Sequence, residues 1–236
     1  MKATVVFQCG GPYHPTCQQA ELLKEWLPQG LELHVLHSTD AFDVLPKCDL
    51  FIAAGLNWSG LGKDGASHDW KDDTPHGYQP ATELQKQNFR HYVASGKPVL
   101  GYHGGIASYD DWPEFGRLLG TRWDWRVTNH GPVGEWAMSI LDPDHPIACG
   151  VDDDRYVIRG EEVYVNLQIA PDADLTVICE AELQGAKFPI LFAGEGGRCA
   201  GSGRWAYFGN GHSMEAAECP AFRQLLTSTI SWLLAD

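Results

Sequence analysis

The chain has 236 residues, with 17 Lys and Arg against 31 Asp and Glu, a formal net charge of −14 at pH 7. A composition of 44% apolar and 20% charged residues belongs to a folded globular protein, and the length suits one domain over residues 1–236. The acidity argues against nucleic acid, anionic membranes and polyanionic substrates as partners, because their recognition rests on clustered Lys and Arg. A neutral or cationic small molecule, or a metal ion, is the compatible class, and the nine Trp and ten His are the surplus to explain.

Ala3 to Cys9 is an apolar run ending at Gly10-Gly11, the pattern of a buried parallel strand and too short to cross a membrane. No secretory signal is read at this end. Gln18 to Leu27 carries a helical stripe of Ala20, Leu22, Leu23, Trp26 and Leu27. Leu31 to Leu36 and Leu50 to Ala54 read as the next strands. A helix is expected from Thr82 to Ser95, with Leu84, Phe89, Tyr92 and Val93 on its apolar side and Gly96 as its cap. Pro98 to Tyr102 is the fourth strand. This rhythm predicts an open, doubly wound α/β sheet.

The second half reads as strands at Trp136 to Leu141, Arg155 to Val165, Leu175 to Cys179, Phe188 to Ala193 and Trp205 to Gly209. Gly194 to Gly203 is Gly-rich and expected to be a hairpin connection. Cys219 to Leu234 is a closing amphipathic helix, with Trp232, like Trp26, on a core-facing side. The stretch Gly55 to Pro80 holds Trp58, His68, Trp70, His76 and Tyr78 without periodicity, as expected of an ordered lid. The seven Cys are odd in number and contain no C-x-x-C pair, so reduced thiols and a cytoplasmic location are expected.

In such a sheet, ligands sit beyond the carboxyl ends of the strands. His14 follows the first predicted strand, His103 the fourth and His212 the last, each near Gly or Pro. Three neutral imidazoles brought together there could bind Zn²⁺ or a similar divalent ion with a position left open, or could transfer protons on a sugar or carbonyl compound. Imidazoles spread over more than roughly 10 Å could not share an ion. Each could also merely bond nearby backbone. Asp110 follows the His103 turn and joins the candidates. Neither G-x-x-x-x-G-K-[ST] nor a G-x-G-x-x-G after the first strand occurs, so no nucleotide cofactor is expected. Trp58, Trp70, Trp112, Trp123 and Trp125 fall in or near predicted loops, where flat faces suit sugars. Trp123 and Trp125 could instead alternate along a strand and pack.

Several segments in chain order resemble the trehalose-utilisation (ThuA-like) family. They include Phe89-x-x-Tyr92-Val93, Gly101-Tyr102-His103-Gly104-Gly105, and Leu119-Gly120-x-Arg122 leading to His130. Asp144-His145-Pro146-Ile147, Glu161-Glu162-x-Tyr164 and Gly203-Arg204-x-x-Tyr207-Phe208-x-x-Gly211-His212 complete the set. The resemblance implies a flavodoxin-like three-layer sandwich, as in class I glutamine amidotransferases, with a mostly parallel central sheet and extra β-hairpins in the second half. In those enzymes a Cys occupies the turn after a central strand. Here His103 holds that position and His212 matches a later His, so thiolate attack on glutamine is disfavoured, with Cys9 only a fallback nucleophile. The resemblance further implies work on a disaccharide or 3-keto-glycoside, by glycosidic cleavage or isomerisation. His103, His212, His14, Glu162 and Asp110 are the catalytic candidates, and His14, His103 and His212 the candidate metal ligands. Trp58, Tyr102, Trp112 and His130 are the candidate substrate contacts. A non-catalytic sugar-binding or regulatory protein on the same scaffold remains the alternative, and a homodimer is left open.

Overall fold

The computed structural model describes residues 2–59, 77–170, 173–196 and 203–235. In chain order the elements are β1 (Ala3–Cys9), α1 (Thr16–Trp26), β2 (Leu31–His37), α2 (Ala41–Val44), β3 (Leu50–Ala53), α3 (Glu83–Ala94), β4 (Val99–Tyr102) and α4 (Glu114–Leu119). They continue with β5 (Thr121–Arg122), β6 (Asn129–His130), β7 (Gly134–Ile140), β8 (Arg155–Glu161), β9 (Tyr164–Val165) and β10 (Gln168–Ile169). The chain closes with β11 (Leu175–Leu183), β12 (Ala186–Glu195), β13 (Arg204–Phe208) and α5 (Pro220–Leu233).

Nine strands form one sheet in the order β2-β1-β3-β4-β13-β12-β11-β7-β8. The pairings from β2 across to β13 are parallel, and those from β13 to β8 are antiparallel. The fold is therefore α/β with a mixed central sheet, its hairpin half contributed by the second part of the chain.

Alternation along the strands divides the core into two layers. Val5, Phe7 and Cys9 of β1 face one side with Leu50, Ile52, Leu100 and Phe208, and α1 and α5 cover them with Leu23, Phe222 and Leu225. Val6, Phe51, Val99 and Trp205 face the other side, under α2, α3 and α4. Each strand has apolar residues on both faces, which is why the parallel strands read as continuous apolar runs.

The expected helix at 82–95 forms, opened by a capping box in which Thr82 and Gln85 satisfy each other's backbone N–H groups. Its buried face is Gln85, Phe89, Tyr92 and Val93, whereas Leu84 is 65% exposed. Gln85 takes the inward position because its amide donates to the Thr39 carbonyl and the Asp43 carboxylate, and Leu84 is then turned about 100° away. The run predicted as one strand from Arg155 to Val165 breaks after Glu161, so that Tyr164–Val165 pairs with Asn129–His130 instead. Trp123 and Trp125 lie beyond the two-residue β5 and do not alternate along a strand. Trp26 and Trp232 are half-buried against the α1/α5 layer. His68, Trp70, His76, Cys199 and most of the predicted lid and hairpin connection lie outside the described residues.

These burial differences set a stability contrast. Phe89→Ala empties a fully buried site among Phe42, Phe51 and Phe115 and is expected to cost about 3–5 kcal/mol. Leu84→Ala is expected to stay within about 0.5 kcal/mol. Urea denaturation of the two variants checks the contrast, and equal losses would contradict the helix orientation.

Candidate functional site

The first three strands put β1 between β2 and β3, so the chain reverses direction across the sheet beside β1, and ligands gather beyond the carboxyl ends at such a point. The loop after β1 carries His14. It is closed by the Gly10 N–H donating to Thr16 Oγ1 at 3.0 Å. His103 comes directly after β4, with φ at +41°, a left-handed conformation that a side-chain-bearing residue adopts only when its surroundings impose it. His212 follows β13, the parallel neighbour of β4. Gly104 has the small size this convergence requires, since a Cβ there would meet His14 Cε1 at 2.6 Å.

The three rings meet. Centroids lie 4.6 Å apart for His14 and His103, 5.2 Å for His14 and His212, and 5.6 Å for His103 and His212. With Glu162 they offer four ligand atoms, all within 4.8 Å of one another. His103 Nδ1 is 2.7 Å from the Gly209 carbonyl, which can only accept, so Nδ1 carries the proton. In the neutral ring Nε2 is then the acceptor, and the Tyr164 hydroxyl donates to it at 3.0 Å. Fixing one ring nitrogen on a backbone carbonyl is how proteins orient a metal-ligating or proton-accepting imidazole.

Electrostatics separate the members of the group. Burial, reinforced by His212 and His130, pushes His14 down from 6.5 to about 3. Burial first and then His14 also push His103 well below the usual range, so both rings are neutral at pH 7. Burial lowers His212 too, but the neighbouring Glu162 carboxylate outweighs it and holds His212 above its ordinary value. The two approach to 3.2 Å, and the carboxylate there favours the protonated form of the ring. Burial raises Glu162, and the surrounding histidines more than reverse that, leaving it below the ordinary carboxylate range. Its other oxygen is 3.1 Å from Nδ1 of His130, which sits at the rim, half-exposed.

Glu161, next in line, faces inward and is fully buried. Its carboxylate accepts the N–H groups of Gly211 at 2.6 Å, His212 at 3.0 Å and Glu162 at 3.0 Å. Burial raises it to about 7 despite those bonds. From the other side, the Gln19 amide of α1 donates to the Gly211 carbonyl at 2.7 Å. The His212 loop is thus held by side chains from both β8 and α1. Glu161, Gln19 and Tyr164 were not singled out as site residues from sequence. A carboxylate pair inside a strand rich in Val and Ile was the available signal, because charge is rarely placed there without partners.

A hollow of about 360 Å³ opens over the group. His14, Glu162 and His212 form its floor with Tyr164, and Trp58, Trp123 and Trp125 form its walls. Trp58 and Trp125 stack at 4.1 Å and 14° between planes. His103 lies beneath the floor, 1% exposed. The structure does not bring three other candidates to this hollow. Asp110 is engaged by Ser59, whose N–H and hydroxyl both donate to it at 2.7 Å, and it lines a smaller adjoining hollow. Trp112 packs in the aromatic cluster of Phe42, Phe89 and Phe115. Tyr102 is buried behind the site between Phe7 and Phe208. Aromatic residues beside Gly-rich turns pack inward here because the strand ends are covered by helices on both faces. Among the described residues lining the main hollow there is no cysteine.

An α/β sandwich whose sheet runs from parallel to antiparallel strands in this order has the class I glutamine amidotransferase-like fold. Residues 3–233 match the trehalose-utilisation family, ThuA, and the chain belongs to it. Solved structures agree on the fold. A ThuA-like protein from Parabacteroides merdae is 17% identical with a TM-score of 0.70, covering 100% of this chain and 91% of that one. One from Bacteroides uniformis is 17% identical with a TM-score of 0.68, covering 98% and 91%. A glutamine amidotransferase from Thermotoga maritima is 11% identical with a TM-score of 0.52, covering each chain fully, at 100%. No curated protein matches the sequence. No helix among the described residues is long and apolar enough to cross a membrane.

Two predictions follow from the electrostatics. His14 stays neutral in the native protein while the unfolded chain takes up its proton near pH 6.5, so its contribution to stability is present above pH 6.5 and falls away as the pH drops towards 3. Between pH 7 and pH 5 His14 alone removes about 2 kcal/mol from the metal-free protein, so the loss of stability over that interval is expected to be smaller by about that amount in His14→Gln than in the wild type. Chemical denaturation at the two pH values measures it. Glu161→Ala strands three backbone N–H groups and is expected to cost roughly 3 kcal/mol or more, with the loss visible as a lowered urea midpoint.

Proposed function

We propose that this protein is a carbohydrate-metabolism enzyme acting on a disaccharide or 3-keto-glycoside, with a divalent metal ion such as Zn²⁺ held by His14, His103 and His212. The observation that carries the reading is the convergence of these rings under a tryptophan-walled hollow. Among the described residues, Nδ1 of His14 is buried with no hydrogen-bond partner. Three imidazoles beside a carboxylate form a borderline-soft N/O donor set that suits zinc; the neutral state of His14 leaves it a lone pair for the ion, and His103 would give up the Tyr164 hydroxyl at Nε2 to take it. The bound ion would polarise a substrate carbonyl and stabilise the negative charge that develops on its oxygen.

The chain's own groups supply the rest. A 3-keto group acidifies the C–H between it and the glycosidic carbon. Glu162, ionised and on the floor of the hollow, takes that proton, and the electron pair expels the glycosidic oxygen. The same carboxyl, now protonated, gives the leaving oxygen that proton, while His212, whose Nε2 would hold the ion, stays against Glu162 through Nδ1. His130, beside the other Glu162 oxygen, orients the carboxylate. Trp58, Trp123 and Trp125 lie against the apolar C–H faces of the sugar and exclude water.

Purified protein analysed for bound metal, and His103→Ala and His212→Ala assayed on 3-keto-disaccharides, test the reading. Turnover is expected to fall about 100-fold or more in each folded variant, together with loss of bound metal. Wild-type turnover in both would sink the catalytic role. Sugar binding that quenches tryptophan fluorescence, with no product formed over long incubation, would select the non-catalytic sugar-binding alternative.

A further inference from the structure

Cys9, Cys17 and His37 form a second group, apart from the histidine centre, whose ligand atoms lie within 4.8 Å of one another. Cys9 ends β1 and is fully buried, while Cys17 is the second residue of α1 and half-buried. His37 ends β2 in parallel register with Cys9. Equivalent positions on neighbouring parallel strands face the same side, which here is the side covered by α1. The Cys17 thiol points at the Cys9 sulfur at 3.2 Å. A disulfide needs about 2.05 Å, so the sulfurs have roughly 1 Å to close.

We infer that Cys9 and Cys17 are a peroxide-sensitive dithiol that closes to a disulfide joining the two ends of the loop that carries His14. Cys17 is the reachable member, half-buried in the first turn of α1, where the helix dipole favours negative charge. The Cys17 thiolate attacks one oxygen of hydrogen peroxide. The O–O bond breaks, Cys17 becomes a sulfenic acid, and the departing hydroxide takes up the thiol proton as water. The Cys9 sulfur then attacks the Cys17 sulfur. The S–O bond breaks, the S–S bond forms, and hydroxide leaves with the Cys9 proton as a second water. Two thiols and one peroxide thus give one disulfide and two waters.

The other described thiols lack this arrangement. Cys48 and Cys179 are buried, and burial pushes them up to about 11 and about 12, where the reactive thiolate is scarce. Cys149 is exposed and Cys219 is half-buried like Cys17, and the two serve as internal controls for simple accessibility.

Lys2 and Lys24 bound a single tryptic peptide, residues 3–24, that contains both cysteines. Full-length protein is treated with graded hydrogen peroxide, alkylated under denaturing conditions and mapped by mass spectrometry. The expected result is a 3–24 peptide that loses two hydrogens and both alkylatable thiols, and regains them with dithiothreitol, at doses that leave Cys149 and Cys219 alkylatable. In Cys17→Ser, Cys9 is expected to stay alkylatable at the same doses. Oxidation of Cys149 or Cys219 first, or conversion of Cys17 to a sulfinic acid without engaging Cys9, would overturn the inference. Retention of added Zn²⁺ by this trio, lost in Cys17→Ser, with the thiols unchanged by peroxide would also overturn it and assign the trio to metal.

Discussion

The hydrogen bond from His103 Nδ1 to the Gly209 carbonyl is the constraint on which the site turns. It links the ends of β4 and β13, which are parallel neighbours with Phe208 opposite Tyr102. The bond decides which nitrogen holds the proton, and therefore that Nε2 presents a lone pair toward Tyr164 and Glu162. Burial forbids the ring a charge. The left-handed backbone at His103 and the absence of a side chain at Gly104 follow from the same requirement, that the ring turn back under the loop holding His14.

Around that ring the fold places charge where it is costly and then surrounds it with donors. Glu161 is enclosed by the core yet accepts three backbone N–H groups, two of them from the His212 loop. Its role is positional, because it meets the loop's backbone and does not line the hollow. Glu162, one residue on, points the other way and lies among His103, His130 and His212. β8 ends at Glu161, and the break there leaves one carboxylate bonded to the scaffold and the next lining the pocket.

Much of this was legible in the sequence, for identifiable reasons. Parallel strands buried on both faces show as apolar runs ending in Gly, so the positions of His14, His103 and His212 at strand ends could be read directly. Their convergence could not, because the strand order that makes β4 and β13 neighbours is a property of the whole sheet. The face of α3 was misread at Leu84 because Gln85, a polar residue, takes the buried position through hydrogen bonds to Thr39 and Asp43. Tyr102, Trp112 and Asp110 have residue types suited to a ligand site, but their neighbours draw them into core packing or into a bond with Ser59. Glu161 and Tyr164 act through bonds to distant segments, which no local spacing encodes.

Nitrogen NMR of the protein labelled with ¹⁵N-histidine, at pH 7 with and without added Zn²⁺, tests whether the three rings form one metal-accepting centre in which His14 and His103 are neutral. The account predicts His14 and His103 as neutral rings, His103 protonated on Nδ1, and one equivalent of metal shifting the His14, His103 and His212 signals together while His34 and His91 stay put. His103 protonated on Nε2, or three rings that ignore the metal, would contradict it.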